Sequence, residues 1–200
     1  MLTALISVVV AYLLGSLASA VIVGRLLGLA DPRTQGSGNP GATNMLRLGG
    51  RKAGAITLVG DMFKGLLAVL IARAVGAGAE VQALAAAAAF LGHLFPIFFG
   101  FRGGKGVATA LGALLGLQWD VGLLVIGTWL AMAAVFRISS LAALVAAAAA
   151  PFYMWWLGPN PAFILASVFM TALLYWRHHT NIRKLLAGTE DKIGFDSKTG

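Results

Sequence analysis

Cysteine is absent from the 200 residues, and charged residues make up only 11% of them. The absence of cysteine excludes disulfides, zinc sites with thiolate ligands and a cysteine-bound acyl intermediate. Soluble domains carry about 25% charged and about 45–50% apolar residues, whereas this chain is 59% hydrophobic. That excess is too large for one globular core, so lipid is the expected solvent for much of the chain.

Seven apolar segments are candidates for membrane helices, since a bilayer core is crossed by about 20 apolar residues in helical form. An alanine-rich soluble bundle would show polar stripes at helical spacing, and residues 84–91 and 141–150 show none. The fourth segment looks too short to cross alone; tilting, local thinning of the bilayer or a half-helix inside the protein would explain it. The segments are Leu2–Leu27, Ala53–Ile71, Val81–Phe99, Val107–Leu117, Val121–Phe136, Leu141–Leu157 and Ala162–Tyr175.

The positive charges predict the orientation of these helices. The formal charge is +8, and the basic residues fall in alternate connections, as the positive-inside rule requires; this pattern fits membrane orientation better than nucleic-acid binding. The basic connections hold Arg25, Arg33, Arg47, Arg51 and Lys52, then Arg102 and Lys105, then Arg137, and finally Arg177, Arg183, Lys184 and Lys192.

The predicted fold is therefore all-α, a polytopic membrane protein with a bundle of seven transmembrane helices in one domain over residues 1–200. Its N-terminus lies outside the cell and its C-terminus in the cytoplasm. The first segment lacks a basic region before it and a small-residue cleavage site, so we expect a retained helix and not a removed signal peptide.

Three polar stretches interrupt the apolar pattern on the cytoplasmic side, and the first is Gly36–Asn44, followed by Arg47. Its glycines expose backbone N–H groups, Ser37, Thr43 and Asn44 add neutral donors, and Arg47 adds a planar cation, as a phosphate site needs. Thr43 or Asn44 is also a candidate cap for a helix. An ordinary surface loop has the same composition, because glycine, serine, asparagine and proline favour turns.

The second stretch has Gly103, Gly104 and Gly106 around Lys105, directly before an apolar segment. Free N–H groups, a helix N-terminus and an ammonium would meet there at one anion. It does not match the nucleotide-binding P-loop, so ATP binding is not indicated. The alternative is a tight turn whose charges only set orientation. A lone His93 nearby is expected to be a packing residue.

The third stretch runs from Arg177 to Lys184. His178 and Asn181 are three residues apart and share a helix face, whereas the adjacent His178 and His179 point about 100° apart and would not chelate one metal. The alternative is a basic signal that binds anionic lipid. We predict no metal site and no cofactor. Asp61 and Lys64, at i,i+3 spacing inside the second segment, are expected to form a structural ion pair.

Together the three stretches resemble the bacterial acyl-phosphate:glycerol-3-phosphate acyltransferase family of membrane proteins, and the resemblance runs nearly from end to end. Position 179 is His where many relatives have Arg, and Arg183-Lys184 replaces a commoner x-Arg pair. The matching strings are Asp31-Pro32-Arg33, Gly36 to Asn44 with Arg47, Asp61 with Lys64 and Gly65, Gly92-His93 with Phe95-Pro96, Gly103 to Thr109, and His178 with Asn181-Ile182, Glu190, Lys192 and Ile193.

The resemblance implies acyl transfer from a fatty acyl phosphate to the 1-hydroxyl of glycerol 3-phosphate, the first step of phospholipid synthesis. The products are lysophosphatidic acid and phosphate, and neither acyl-CoA nor acyl carrier protein is the direct donor. It also implies a seven-helix protein of the bacterial inner membrane with a cytoplasmic active site. The expected partners are both substrates and membrane lipid, not nucleic acid, and a monomer is favoured.

We assign catalytic roles to Lys105, His178 and Asn181. Ser37, Arg47 and Lys105 are expected to hold the phosphate of glycerol 3-phosphate, and amides of Gly103–Gly106 with Asn181 and His178 to orient the acyl phosphate. Either His178 or a substrate phosphate oxygen takes the hydroxyl proton. Small residues near Gly112 and Gly116, and the alanine-rich fifth and sixth segments, would leave room for the acyl chain. The predicted substrate-binding residues are Ser37, Asn39, Thr43, Asn44, Arg47, Gly103, Gly104, Gly106, Ser139 and Ser140.

Two other classes of protein fit parts of the sequence. A transporter or channel for a small phosphorylated solute explains the helices and anion sites, but not two phosphate cradles on one side. A non-enzymatic lipid-binding scaffold predicts that Lys105→Ala only weakens lipid affinity, whereas an enzyme would lose nearly all turnover. Phosphate release that depends on both substrates would identify the enzyme.

Overall fold

Every regular element in the computed structural model, which describes residues 1–193, is a helix. Residues 194–200 of the predicted domain 1–200 lie outside the described residues. The helices are α1 (Leu2–Gly15), α2 (Ser19–Leu26), α3 (Ala42–Ala74), α4 (Ala79–Leu94), a 3-10 turn (Ile97–Phe99), α5 (Val107–Leu117), α6 (Trp119–Phe136), α7 (Ser139–Leu157), α8 (Pro161–Arg177) and α9 (His179–Leu186).

Each predicted apolar segment coincides with one or two of these helices. By length and composition, α3, α4 with the 3-10 turn, α6 and α7 are able to cross a membrane, and α1 and α2, bent by 41° at their junction, together make a fifth candidate. The shorter apolar helices are α5 and α8. The all-α membrane class predicted from the sequence is confirmed.

Helix α3 begins earlier than predicted. The sequence predicts a loop up to Lys52, but α3 already starts at Ala42 and is interrupted only at Gly50, whose φ of 72° breaks the regular helix. Met45 on this first part is fully buried in a small cluster, so tertiary packing stabilises a helix there. The N-cap is Gly41 without a side-chain cap, so the prediction that Thr43 or Asn44 caps the helix is wrong.

The short helix α5 lies buried in the middle of the bundle, packed against α3, α4, α6 and α8. Its 11 residues span about 16 Å, roughly half of a bilayer core of about 30 Å. Arg73 of α3 donates to the carbonyls of Gly116 (2.6 Å) and Leu117 (3.1 Å) at its C-terminal end. Arg73 is exposed and lies in the last turn of α3, so the C-terminal end of α5 is level with the C-terminal end of α3. The three alternatives for the short segment stay open.

Glycines bring α5 unusually close to α3. A Cβ added to Gly112 would lie 1.9 Å from the carbonyl oxygen of Met62, and one added to Gly116 would lie 2.8 Å from Cβ of Val69. The expectation that the surroundings of Gly112 and Gly116 leave room for an acyl chain is therefore wrong, because α3 fills that space.

Candidate active site

One cavity of about 240 Å³ opens where the N-terminal ends of α3, α5 and α7 meet the junction of α8 and α9. Its lining combines polar and charged side chains with apolar ones. All of the predicted site residues line this cavity except Gly103 and Gly104. Residues from three distant stretches of sequence therefore meet in one place, although their individual roles stay predictions.

The glycine-rich stretch before α3 is held in shape by Asn44. Its side-chain oxygen accepts the N–H of Ser37 (3.0 Å), and its amide nitrogen donates to the carbonyls of Pro32 (2.9 Å) and Gln35 (3.0 Å). Gly36 and Gly38 take φ values of 60° and 68°, which favour glycine. The sequence suggests that the side-chain donors of Asn44 are free for phosphate, but both are used within the loop. Ser37 and Asn39 line the cavity.

Two polar contacts tie the first turns of α3 to other parts of the cavity. The hydroxyls of Thr43 and Ser139 are 3.1 Å apart, which joins α3 to the first turn of α7. The guanidinium of Arg47 lies 3.5 Å from the carboxylate of Asp191, which follows α9. Asp191 is largely exposed, so this ion pair is weak and open to exchange with another anion.

Lys105 belongs to a chain of hydrogen bonds across the cavity. Its ammonium donates to the side-chain oxygen of Asn181, whose amide nitrogen donates to the carboxylate of Glu190. The hydroxyl of Ser140 donates to the same carboxylate oxygen (2.7 Å). Burial lowers the pKa of the Lys105 ammonium below its usual range, nearby cations lower it further, and Glu190 opposes them.

The N-terminus of α5 lies at the cavity. Gly106, with φ of 85°, precedes the helix, and no side chain caps the free N–H groups. Val107 and Ala108, the first two residues of α5, line the cavity. A helix N-terminus next to a lysine is a favourable site for an anion.

Gly103 and Gly104 lie behind the cavity wall. Arg177 donates to the carbonyls of Gly103 (2.9 Å) and Gly104 (3.2 Å), and the N–H of Gly104 donates to the carbonyl of His93 (3.2 Å). The N–H of Gly104 is therefore used within the protein, contrary to the expectation that it is free for substrate. Because Gly103 and Gly104 have no side chain, the backbone at these positions can pack closely against His93.

His178 presents one ring nitrogen to the cavity. Its Nδ1 lies 2.8 Å from the carbonyl oxygen of Leu174; a carbonyl only accepts, so Nδ1 carries the proton and Nε2 has a free lone pair. Burial lowers the pKa of His178 to about 4, and the nearby Lys105 and Arg177 cations add to that shift. His178 is therefore neutral near pH 7 and suited to accept a hydrogen bond.

Asp61 and Lys64 form the predicted ion pair, with 2.8 Å between Oδ1 and Nζ, and the pair is buried. The structure adds His93, whose Nδ1 lies 3.5 Å from the same carboxylate oxygen. Asp61 and His93 both line the cavity, which was not predicted. Their spacing in the sequence gave no sign of this contact, because α3 and α4 bring them together only in the fold.

Apolar side chains of α3, α5, α6 and α7 form the apolar wall of the cavity. Its residues are Leu58, Met62, Val107, Leu111, Ile126, Trp129, Leu130 and Ala143. Two of the four helices, α6 and α7, are the alanine-rich segments named from the sequence. An aliphatic chain that leaves the lipid would meet apolar side chains along this wall and would stay out of water.

Glu190, Asp191 and Arg177 also contribute to the site without having been predicted as site residues. The only signal for Glu190 in the sequence is its place in the string Glu190-x-Lys192-Ile193. Within residues 1–193, no three histidine, cysteine or acidic side chains are grouped so as to bind a metal ion.

The whole chain is similar to known proteins. A family model described as glycerol-3-phosphate acyltransferase matches residues 5–188. A glycerol-3-phosphate acyltransferase from Thioalkalivibrio sulfidiphilus is 57% identical over 198 residues, covering 99% of this chain and 98% of that protein. One from Methylococcus capsulatus is 56% identical over 185 residues, covering 92% and 93% of the two chains.

Two crystal structures share the fold. Both are of PlsY, an integral membrane glycerol 3-phosphate acyltransferase, and both are 38% identical to this chain. The glycerol 3-phosphate form has a TM-score of 0.91 and covers 96% of each chain. The lysophosphatidic acid form has a TM-score of 0.88 and covers 96% of this chain and 95% of the other.

Proposed function

The chain belongs to the glycerol-3-phosphate acyltransferase family, and from this premise we propose that it takes its acyl group from a fatty acyl phosphate. The enzyme acylates glycerol 3-phosphate to lysophosphatidic acid, the first step of phospholipid synthesis. The observation that carries the proposal is one cavity lined by cations, by the free amides at the start of α5 and by apolar side chains. Two phosphates and one acyl chain need that combination.

The phosphate of glycerol 3-phosphate binds to Ser37, Arg47 and Lys105. All three line the cavity, and Arg47 offers a planar guanidinium suited to two phosphate oxygens. The exposed carboxylate of Asp191, at 3.5 Å from Arg47, gives way to the phosphate, because a dianion attracts the guanidinium more strongly than a solvated monoanion does.

The acyl phosphate lies across the N-terminus of α5. The free amides of Val107 and Ala108 face its phosphate and the oxyanion that develops on the acyl carbonyl. Asn181, whose side-chain oxygen accepts a hydrogen bond from Lys105, holds the leaving phosphate, and Nε2 of neutral His178 accepts a hydrogen bond. The acyl chain extends along the apolar wall beside Trp129 and Leu111.

The reaction needs no covalent enzyme intermediate, because an acyl phosphate is an activated mixed anhydride. The 1-hydroxyl oxygen of glycerol 3-phosphate attacks the acyl carbon, and the bond between that carbon and the phosphate oxygen breaks with release of inorganic phosphate. The hydroxyl proton passes to a substrate phosphate oxygen. A phosphate monoester has a second pKa of about 6, so it is a stronger base than His178, whose pKa burial lowers to about 4.

The proposed setting is the bacterial inner membrane, with seven spans, an external N-terminus and the cavity facing the cytoplasm. Arg47, Lys105 and Lys184 around the cavity and Arg137 at the adjacent end of α6 support this orientation under the positive-inside rule. A monomer is the proposed functional unit, since one chain provides both the anion sites and the apolar wall.

Purified protein in detergent, supplied with palmitoyl phosphate and glycerol 3-phosphate, tests the donor. We expect phosphate and lysophosphatidic acid to appear in equal amounts, and only when both substrates are present. Palmitoyl-CoA in place of palmitoyl phosphate is the matched control. Turnover with palmitoyl-CoA and none with palmitoyl phosphate would contradict the proposed donor.

A further inference from the structure

A buried group of Asp61, Lys64 and His93 lies next to the cavity, and the proposed reaction does not use it. Asp61 is 2% exposed, Lys64 4% and His93 7%. The ammonium of Lys64 is satisfied by Asp61 at 2.8 Å and by the carbonyl of Leu17 at 2.7 Å. Charged groups inside membrane helices are costly and tend to have a function.

Asp61 and Lys64 neutralise each other, so their ion pair does not require a third charged or polar group. Nevertheless Nδ1 of His93, on the last turn of α4, lies 3.5 Å from the same carboxylate oxygen of Asp61. At this separation the carboxylate and the ring make an electrostatic contact and not a close hydrogen bond. The contact favours the ring orientation in which Nδ1 is turned towards the carboxylate.

His93 in turn supports the glycine stretch that carries Lys105. The N–H of Gly104 donates to its carbonyl at 3.2 Å. A Cβ added to Gly103 would lie 1.9 Å from that carbonyl oxygen, and one added to Gly104 would lie 2.4 Å from Nε2 of the His93 ring. The chain therefore packs directly on His93, and its contact with the ring is made at Gly104. Arg177 donates to the carbonyls of both glycines.

We propose that Asp61 and His93 are positioning residues for acyl transfer. Asp61 orients the His93 ring, and His93 sets the place of Gly103–Gly106, so that the Lys105 ammonium and the first amides of α5 face the two phosphates. This inference rests on the proposed roles of Lys105 and α5. A displacement of about 1 Å at a reacting site costs on the order of 100-fold in rate.

Three variants test this role: Asp61→Asn, His93→Gln, and the double variant Asp61→Asn with Lys64→Met. We expect kcat to fall about 10- to 100-fold in each and the KM for glycerol 3-phosphate to rise, because Lys105 moves relative to its phosphate. The double variant removes both buried charges, so it should unfold at a higher temperature than Asp61→Asn while its KM stays raised.

A purely structural role gives a different result, because loss of folded enzyme lowers the apparent kcat and leaves KM unchanged. Arg73→Met is the matched control: Arg73 binds the opposite end of α5, and its replacement should lower stability without changing KM. An unchanged KM in His93→Gln, or wild-type kcat and KM in the double variant, would overturn the proposal.

The donor and the positioning role can fail separately. If the wild-type protein does not use palmitoyl phosphate, the proposed donor is wrong, and the same variants are compared with the donor that the wild type does use, palmitoyl-CoA or palmitoyl-acyl carrier protein. A raised KM for glycerol 3-phosphate supports the positioning role with any of these donors.

Discussion

At the residue scale, the proposed chemistry depends most on Lys105, whose ammonium lies between the start of α5 and Asn181. We expect Lys105→Met, which keeps the length of the side chain and removes its charge, to lower kcat/KM by about 100- to 1000-fold. Steady-state assays with palmitoyl phosphate measure the effect. Lys52→Met, at an exposed lysine of α3, is the control and should retain activity. A Lys105 variant with normal turnover and weaker lipid affinity would support a binding scaffold instead.

Replacing His178 distinguishes the two candidates for the proton acceptor, which are His178 itself and a substrate phosphate oxygen. Its pKa is lowered to about 4, so it does not titrate between about pH 6 and 8. If the substrate phosphate takes the proton, His178→Gln should cost about tenfold in kcat/KM, the loss of about one hydrogen bond, with an unchanged pH profile. A loss of several hundredfold together with the disappearance of an ionisation would identify His178 as the base.

The same residue should affect stability in acid. The unfolded chain binds a proton at His178 near pH 6.5 and the folded protein only near pH 4, so between these values the unfolded state binds more protons. Stability is therefore lost as the pH falls from about 6.5 towards 4, by up to roughly 3 kcal/mol. His178→Gln should weaken this dependence, which thermal unfolding in detergent at several pH values measures; an unchanged dependence would contradict the burial argument.

A site residue could be predicted from the sequence when the residues that reveal its role are its neighbours in the chain. Lys105, Arg47 and Ser37 could be identified because glycines next to a cation or hydroxyl are unusual between apolar segments. The sequence alone predicts a packing residue at His93, because its contacts with Asp61 and Gly104 come from distant parts of the chain. It also predicts free donors on Asn44, whereas loop carbonyls that the sequence does not reveal accept them.

At the scale of elements, α5 depends on the glycine before it. A Cβ on Gly106 would lie 2.2 Å from the ring of Phe90, and its φ of 85° disfavours other residues. We expect Gly106→Ala to destabilise the protein by about 1–3 kcal/mol and to reduce activity by displacing the first amides of α5. Gly127→Ala in α6, where nothing lies within 4 Å of the added Cβ, is the control and should fold normally. Equal unfolding temperatures for the two variants would contradict this role of Gly106.

Hydropathy located every long apolar element, because lipid imposes a minimum length and excludes charge. It missed the first part of α3, where the polar and glycine-rich composition of residues 42–52 favours a loop and only the packing of Met45 favours a helix. Hydropathy also does not explain why the helix α5 is short. The burial of α5 and the hydrogen bonds from Arg73 to its C-terminal end depend on contacts between helices, which the sequence of one segment does not reveal.

At the scale of the whole molecule, the bundle brings the ends of several helices together at one surface. The cavity draws its polar residues from the loop before α3, from the starts of α3, α5 and α7 and from the junction of α8 and α9, with Asp61 of α3 and His93 of α4. Its apolar wall comes from α3, α5, α6 and α7. A water-soluble phosphate compound and a lipid-borne acyl chain can therefore reach the same point from different phases. That arrangement requires the cavity to face the compartment in which glycerol 3-phosphate is present.

The absence of cysteine makes the orientation directly testable, because a single substitution creates a unique thiol. Lys52 and Glu80 are both exposed. Lys52 lies near the start of the long segment of α3 that follows Gly50, and Glu80 lies in the first turn of α4, just beyond the other end of α3. With the cavity facing the cytoplasm, a membrane-impermeant maleimide should label Glu80→Cys in intact spheroplasts and Lys52→Cys only after permeabilisation. The reverse pattern would place Arg47 and Lys105 outside the cell, away from the glycerol 3-phosphate of the cytoplasm, and would contradict the proposed orientation.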